Sequence, residues 1–85
     1  MRIYEKIKLI RQCEQLNQQE FSDLTGISIS TIKKLDSGVK KDLKVDTLLK
    51  VTSAERFTKY ALWLVTDKDC PEVGQIVPSP PESAK

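Results

Sequence analysis

With 85 residues, 14 Lys/Arg against 12 Asp/Glu, a net charge of +2 and 39% hydrophobic residues, the chain has the balance of one small globular domain. Its core is marginal for a lone monomer, no apolar run approaches the roughly 20 residues that span a bilayer, and the charged start Met1-Arg2-Ile3-Tyr4-Glu5 does not read as a secretory leader. The lack of histidine excludes zinc-finger spacing, and Cys13 and Cys70 are too few and too far apart for a disulfide framework or metal site, so a reducing cytoplasm and no metal or other cofactor are expected.

Ile3, Ile7, Ile10 and Cys13 recur at helical spacing, with Arg2, Glu5, Lys8, Arg11 and Glu14 on the other face, which predicts an amphipathic first helix. Asn17 followed by Glu20 is a capping-box spacing and starts a second helix over Gln18–Thr25, which buries Phe21 and ends at Gly26. Ser28 caps a third helix over Ile29–Ser37, terminated by Gly38. After the basic connection Val39–Lys44, Asp46 reads as the N-cap of a short fourth helix carrying Leu48, Leu49 and Val51. Thr52 and Glu55 repeat the capping-box spacing ahead of a fifth helix over Ala54–Thr66.

Beyond Asp67, Pro71, Gly74, Pro78, Pro80 and Pro81 break the pattern. Residues 68–85 are thus read as a tail, with a short extended segment at Val73–Val77 and disorder expected over 78–85. Residues 1–67 form the helical domain. The expected fold is all-α, a bundle of about five helices with no strand run long enough for a sheet core.

Residues 18–35 carry the functional signal. Two short helices that cross steeply need a shared core and a tight turn. Phe21, Ile27, Ile32 and Leu35 supply the core, Ser22 allows close approach, Gly26 permits the turn and Ser28 restarts the helix. This is the pattern of a helix-turn-helix. It resembles the motif of the lambda-repressor-like domains, in which an acidic residue and a glycine often follow, as Asp36 and Gly38 do here. Ser22 stands where alanine is usual, Thr25 where an aliphatic is common, and Leu24 where a polar residue is common.

With Ile32 and Leu35 turned inward, Ile29, Ser30, Lys33, Lys34 and Ser37 form the outer face of a recognition helix for the major groove of double-stranded operator DNA. Lys33 and Lys34 can donate to guanine or phosphate, Ser30 can bond either kind of base edge, and Ile29 can touch a thymine methyl. Gln18 can bond phosphate or buttress a recognition side chain. Asn17, Ser28 and the helix N-termini offer further phosphate contacts. Lys40 and Lys41 follow the helix and are expected to meet the backbone. Charge distribution agrees: residues 1–50 hold ten Lys/Arg and seven Asp/Glu, and residues 51–85 hold four and five. The competing reading of these lysines is a solvated face.

The fifth helix is apolar on most sides. Tyr60, Leu62, Trp63 and Val65 are therefore expected to meet a second copy, reinforced by Val73, Ile76 and Val77; the alternative is that Trp63 and its neighbours only close the monomer core. Arg56-Phe57-Thr58-Lys59-Tyr60 to Thr66, followed by Pro71-Glu72-Val73-Gly74-Gln75-Ile76-Val77-Pro78, resembles the tail of the immunity repressors (C proteins) of P-two-type temperate coliphages. With the helix-turn-helix in register, the resemblance covers residues 4–78. It implies a helical homodimer joined through its C-terminal region. It further implies repression of the early lytic promoter through short operator repeats, which maintains lysogeny and immunity in the bacterial host cytoplasm. The length leaves no room for a self-cleaving domain, so release by an opposing regulator or loss of repressor is expected.

Three other classes compete. An antitoxin-type autoregulator shares the fold. A protein-interaction module that has lost DNA binding would present an uncharged or apolar recognition face, against which Lys33 and Lys34 stand. An enzyme would need a clustered nucleophile and base or a phosphate loop, and none is seen.

Overall fold

The computed structural model describes residues 1–79. It is all-helical: α1 (Ile3–Cys13), α2 (Gln18–Thr25), α3 (Ile29–Ser37), α4 (Val45–Ser53) and α5 (Ala61–Thr66), with 3-10 segments at Glu55–Tyr60 and Pro71–Val73. The expected bundle with a helix-turn-helix at α2–α3 is present. No helix among the described residues is long and apolar enough to cross a membrane.

The local signals act where the sequence places them. Asn17 accepts from the Glu20 N–H at 2.7 Å while the Glu20 carboxylate accepts from the Asn17 N–H at 2.8 Å, a reciprocal capping box. Gly26 and Gly38 end α2 and α3 in the left-handed region, at φ +80° each. Ile7 and Ile10 of α1, Phe21 of α2, Ile27 of the turn, Ile32 and Leu35 of α3, and Val51 of α4 are buried together with Phe57, Tyr60, Trp63 and Leu64. The Phe21 and Phe57 rings sit 5.1 Å apart at this junction.

The second half departs from expectation. α4 begins at Val45, so Asp46 lies in its first turn and Lys44 holds the N-cap position. The Thr52–Glu55 capping box does not form, because the Thr52 hydroxyl donates back to the Leu48 carbonyl at 3.3 Å within α4. The single helix expected over Ala54–Thr66 is split into the 3-10 run Glu55–Tyr60 and α5. The tail meets this break. The Gln75 side chain donates to the Thr58 carbonyl at 3.0 Å and accepts from the Leu62 N–H at 2.9 Å, so it stands in place of the α-helical bond between them. The tail itself is only partly extended. Val73 ends a 3-10 turn, Cys70 and Gln75 pair as an isolated antiparallel bridge, and the Ile76 N–H donates to the Lys59 carbonyl at 2.9 Å. Of the segment 78–85, Pro78 is buried and Ser79 exposed; Pro80–Lys85 lie outside the described residues.

Two charged side chains tie α1 to this C-terminal half. Lys6 is 4% exposed and donates to the Trp63 and Leu64 carbonyls at 2.9 and 3.2 Å, satisfying the end of α5, and also pairs with Asp67. Glu14, at the end of α1, accepts from Arg56 at 2.7 Å, Lys59 at 3.1 Å and the Tyr60 hydroxyl. Burial by itself would raise the Glu14 pKa, but hydrogen bonds from Arg56, Tyr60 and Lys59 outweigh it and hold the carboxyl at about 2.

A depressed folded-state pKa means this stabilisation is complete above the ordinary carboxyl range and is lost as pH falls through the folded value. Stability should therefore decline between about pH 4.5 and pH 2 as Glu14 protonates. Glu14→Gln should cost about 1–3 kcal/mol at neutral pH and remove that part of the acid slope, as urea melts across pH will show.

Candidate nucleic-acid interface

The helix-turn-helix is closed by small hydroxyls. Thr25, which departs from the aliphatic common at its position, is buried; its hydroxyl donates to the Phe21 carbonyl at 2.8 Å and accepts from the Ile27 N–H at 3.2 Å. Ser22 donates to the Ile27 carbonyl at 2.6 Å. The turn's polar groups are thus satisfied locally while Ile27 drops into the core. Leu24, the apolar departure, is 46% exposed.

On α3, Ile32 and Leu35 face the core, while Ser30, Lys33, Lys34 and Ser37 are exposed and Ile29 is half-buried. Ser28 is exposed at the N-cap, and its hydroxyl bonds the Thr31 N–H at 3.3 Å and the Thr31 hydroxyl at 2.9 Å. At the other end, the Lys34 carbonyl accepts from the Lys40 N–H at 3.0 Å and the Ser37 hydroxyl at 3.2 Å. This draws half-buried Lys40 to the end of the helix, with exposed Lys41 just beyond. None of Lys33, Lys34, Lys40 and Lys41 joins an ion pair among the described residues.

The acid of α3 points elsewhere. The Asp36 carboxylate accepts from Arg11 of α1 and from Gln18 of α2, both at 2.8 Å. Arg11 also donates to the Leu16 carbonyl at 2.8 Å. Arg11 and Asp36 are 14% and 11% exposed at their side chains, so the pair is largely desolvated. Gln18 thus holds Asp36, which is not one of the outer-face residues it was expected to buttress, while Asn17 is exposed at the start of α2. The outward face of α3 is left with positive and neutral groups.

The residues expected at a dimer interface separate into two sets. Tyr60 and Trp63 are 4% and 8% exposed within the single chain, and Leu62 is half-buried. Val65, Val73, Ile76 and Val77 are exposed at 63%, 71%, 38% and 43%. Trp63 therefore closes the monomer core, and among the residues expected at the interface the exposed apolar surface lies on Val65 of α5 and on the tail.

This chain carries a helix-turn-helix with a basic outer face, followed by a tail seated on its last helix, and one curated protein matches it over that whole span. Repressor protein C of Escherichia phage P2 is 39% identical over 77 residues, which cover 91% of this chain and 77% of that protein. The chain belongs to the P2 repressor C family. No protein-family model matches it.

In this P2 repressor C relative, several structural roles are not apparent from the sequence. Lys6 looks like one more solvated lysine on α1, and Glu14 like part of its polar face. Arg11 follows the core position Ile10 and stands two before Cys13, so position alone does not mark it as a partner for Asp36. Gln75 is one polar residue in a Pro- and Gly-punctuated tail. Each role depends on a partner more than ten residues away.

Breaking the Arg11–Asp36 pair leaves a buried carboxylate with one neutral partner. Arg11→Ala should cost about 3 kcal/mol, readable as a lowered midpoint in thermal and urea melts. Lys33→Ala, on the open face, should change stability by less than about 0.5 kcal/mol.

Proposed function

We propose that this member of the P2 repressor C family is a sequence-specific, double-stranded-DNA-binding transcriptional repressor of a temperate phage. It binds operator repeats at the early lytic promoter and so maintains lysogeny and immunity. The observation that carries this reading is the outer face of α3. Ser30, Lys33, Lys34 and Ser37 are exposed, both lysines are free of carboxylate partners among the described residues, and the one acid of the helix is turned inward. Such a face suits the major groove, where lysine reaches guanine O6/N7 and serine either kind of base edge. Lys40 and Lys41, with Asn17 and Ser28 at the helix starts, are assigned to the phosphates on either side. The role is regulatory rather than catalytic.

We assign the protein a homodimeric working state in the host cytoplasm, with Val65, Val73, Ile76 and Val77 at the contact. Four exposed branched apolar residues on one helix and its tail are costly to leave in water, and paired half-sites need paired recognition helices.

Protection mapping on the DNA upstream of the neighbouring divergent gene should show a footprint over repeated half-sites. Lys33→Ala and Lys34→Ala should each lower specific affinity by about 1–3 kcal/mol or reduce the salt slope by about 1, according to whether base or phosphate is contacted. Unchanged binding by both would remove α3 as the reading face.

Val65→Asp combined with Val77→Asp should shift sedimentation toward monomer while circular dichroism stays native. Trp63→Ala is a poor probe of the dimer, because it should unfold the monomer by about 3–5 kcal/mol.

A further inference from the structure

The break between the 3-10 run Glu55–Tyr60 and α5 is held from outside. A 3-10 run of six residues is longer than its hydrogen-bond geometry favours. The stretch Ala54–Thr66 contains no Gly or Pro, and its Ala, Leu, Arg, Glu and Lys are good helix formers. What opposes a continuous helix is the tail. Gln75 occupies both partners of the missing α-helical bond, Thr58 C=O and Leu62 N–H. Ile76 N–H takes the Lys59 carbonyl. Gln75 is itself presented by a closed loop, with Cys70 N–H donating to Gln75 C=O at 2.9 Å and Gln75 N–H donating to Cys70 C=O at 3.1 Å.

We propose that residues 70–77 form a releasable lock: Gln75 and Ile76 hold the 55–66 segment broken, and their withdrawal converts 54–66 into one continuous α-helix. The conversion has a consequence across the molecule. In a 3-10 run, side chains three apart eclipse, so Arg56 and Lys59 both reach Glu14 while Phe57 and Tyr60 both enter the core. At 100° per residue instead of 120°, Lys59 turns about 60° relative to Arg56. The grip on Glu14, at the end of α1 and four residues before α2, then loosens. Val73 and Ile76 lie on the lock itself, so a second copy docking there acts on it directly. That extension rests on the dimer proposed above, whereas the lock does not.

The test uses the full chain and through-hydrogen-bond couplings measured by NMR. In the unaltered protein the Leu62 amide nitrogen should couple to the side-chain carbonyl carbon of Gln75. In Gln75→Ala that coupling should vanish and one from Leu62 to the backbone carbonyl carbon of Thr58 should appear, with α-helical Cα shifts across 55–62. Native-state amide exchange on the unaltered chain gives a second arm that needs no variant to fold: Ile76 should open at a denaturant-dependent free energy below that of Leu64, while Leu62, re-bonded to the Thr58 carbonyl in the continuous helix, stays protected to the level of Leu64. A folded Gln75→Ala that keeps 3-10 shifts over 55–60 overturns the lock. So does exchange in which Leu62 opens together with Ile76. DNA binding enters neither arm, so loss of the repressor reading would leave this result standing.

Discussion

The contact on which the rest of the molecule depends is the ion pair between Arg11 of α1 and Asp36 of α3. It does two jobs at once. It joins the first helix to the third, with Gln18 adding the second helix to the same carboxylate oxygen. It also removes a negative charge from a helix whose outer face carries Lys33 and Lys34. A buried pair of this kind adds little net stability over an apolar substitute, but leaving either partner alone is costly. Its value is therefore in fixing the arrangement: α1, α2 and α3 meet where Arg11 and Gln18 both reach the Asp36 carboxylate, although the buried Arg11 Nε is left without a partner among the described residues.

The C-terminal half is organised by a different kind of constraint. There, one side-chain amide decides backbone conformation. Gln75 matches the donor and acceptor of a missing helical bond so closely in type that the helix is interrupted without leaving either group unpaired. The interruption turns Phe57 and Tyr60 inward together and brings Arg56, Lys59 and Tyr60 to Glu14. Lys6 does the corresponding work for α5, whose final carbonyls it satisfies from within the core. The two ends of α1 are thus each anchored to the last third of the chain by a charge, and the small apolar core sits between the anchors.

This division also explains the distribution of apolar surface. The helix that looks apolar all round supplies the core with Trp63 and Leu64 and leaves Val65 outside. The tail covers part of what remains and contributes Val73, Ile76 and Val77 to the same exterior. A chain of this size spends most of its large side chains on one core. What it leaves exposed includes Leu24, Val39, Val45 and Leu49 as well as Val65 and the tail residues, and the proposed second copy would cover the last of these sets.

Much of the molecule was legible before folding was considered. The capping box at Asn17, the cap at Ser28, the left-handed glycines at 26 and 38 and the inward pair Ile32 and Leu35 are local signals, set by residues within a few positions of one another. Local steric and hydrogen-bond chemistry therefore determined the first three helices and the outer face of α3. Tertiary structure alone decided the partner of Asp36, the burial of Lys6, the convergence on Glu14 and the break at Tyr60. The physical reason is range. Helical periodicity over 54–66 favours an uninterrupted helix, and the hydrogen bonds found at its break come from Gln75 and Ile76, many residues downstream and brought back by a closed loop.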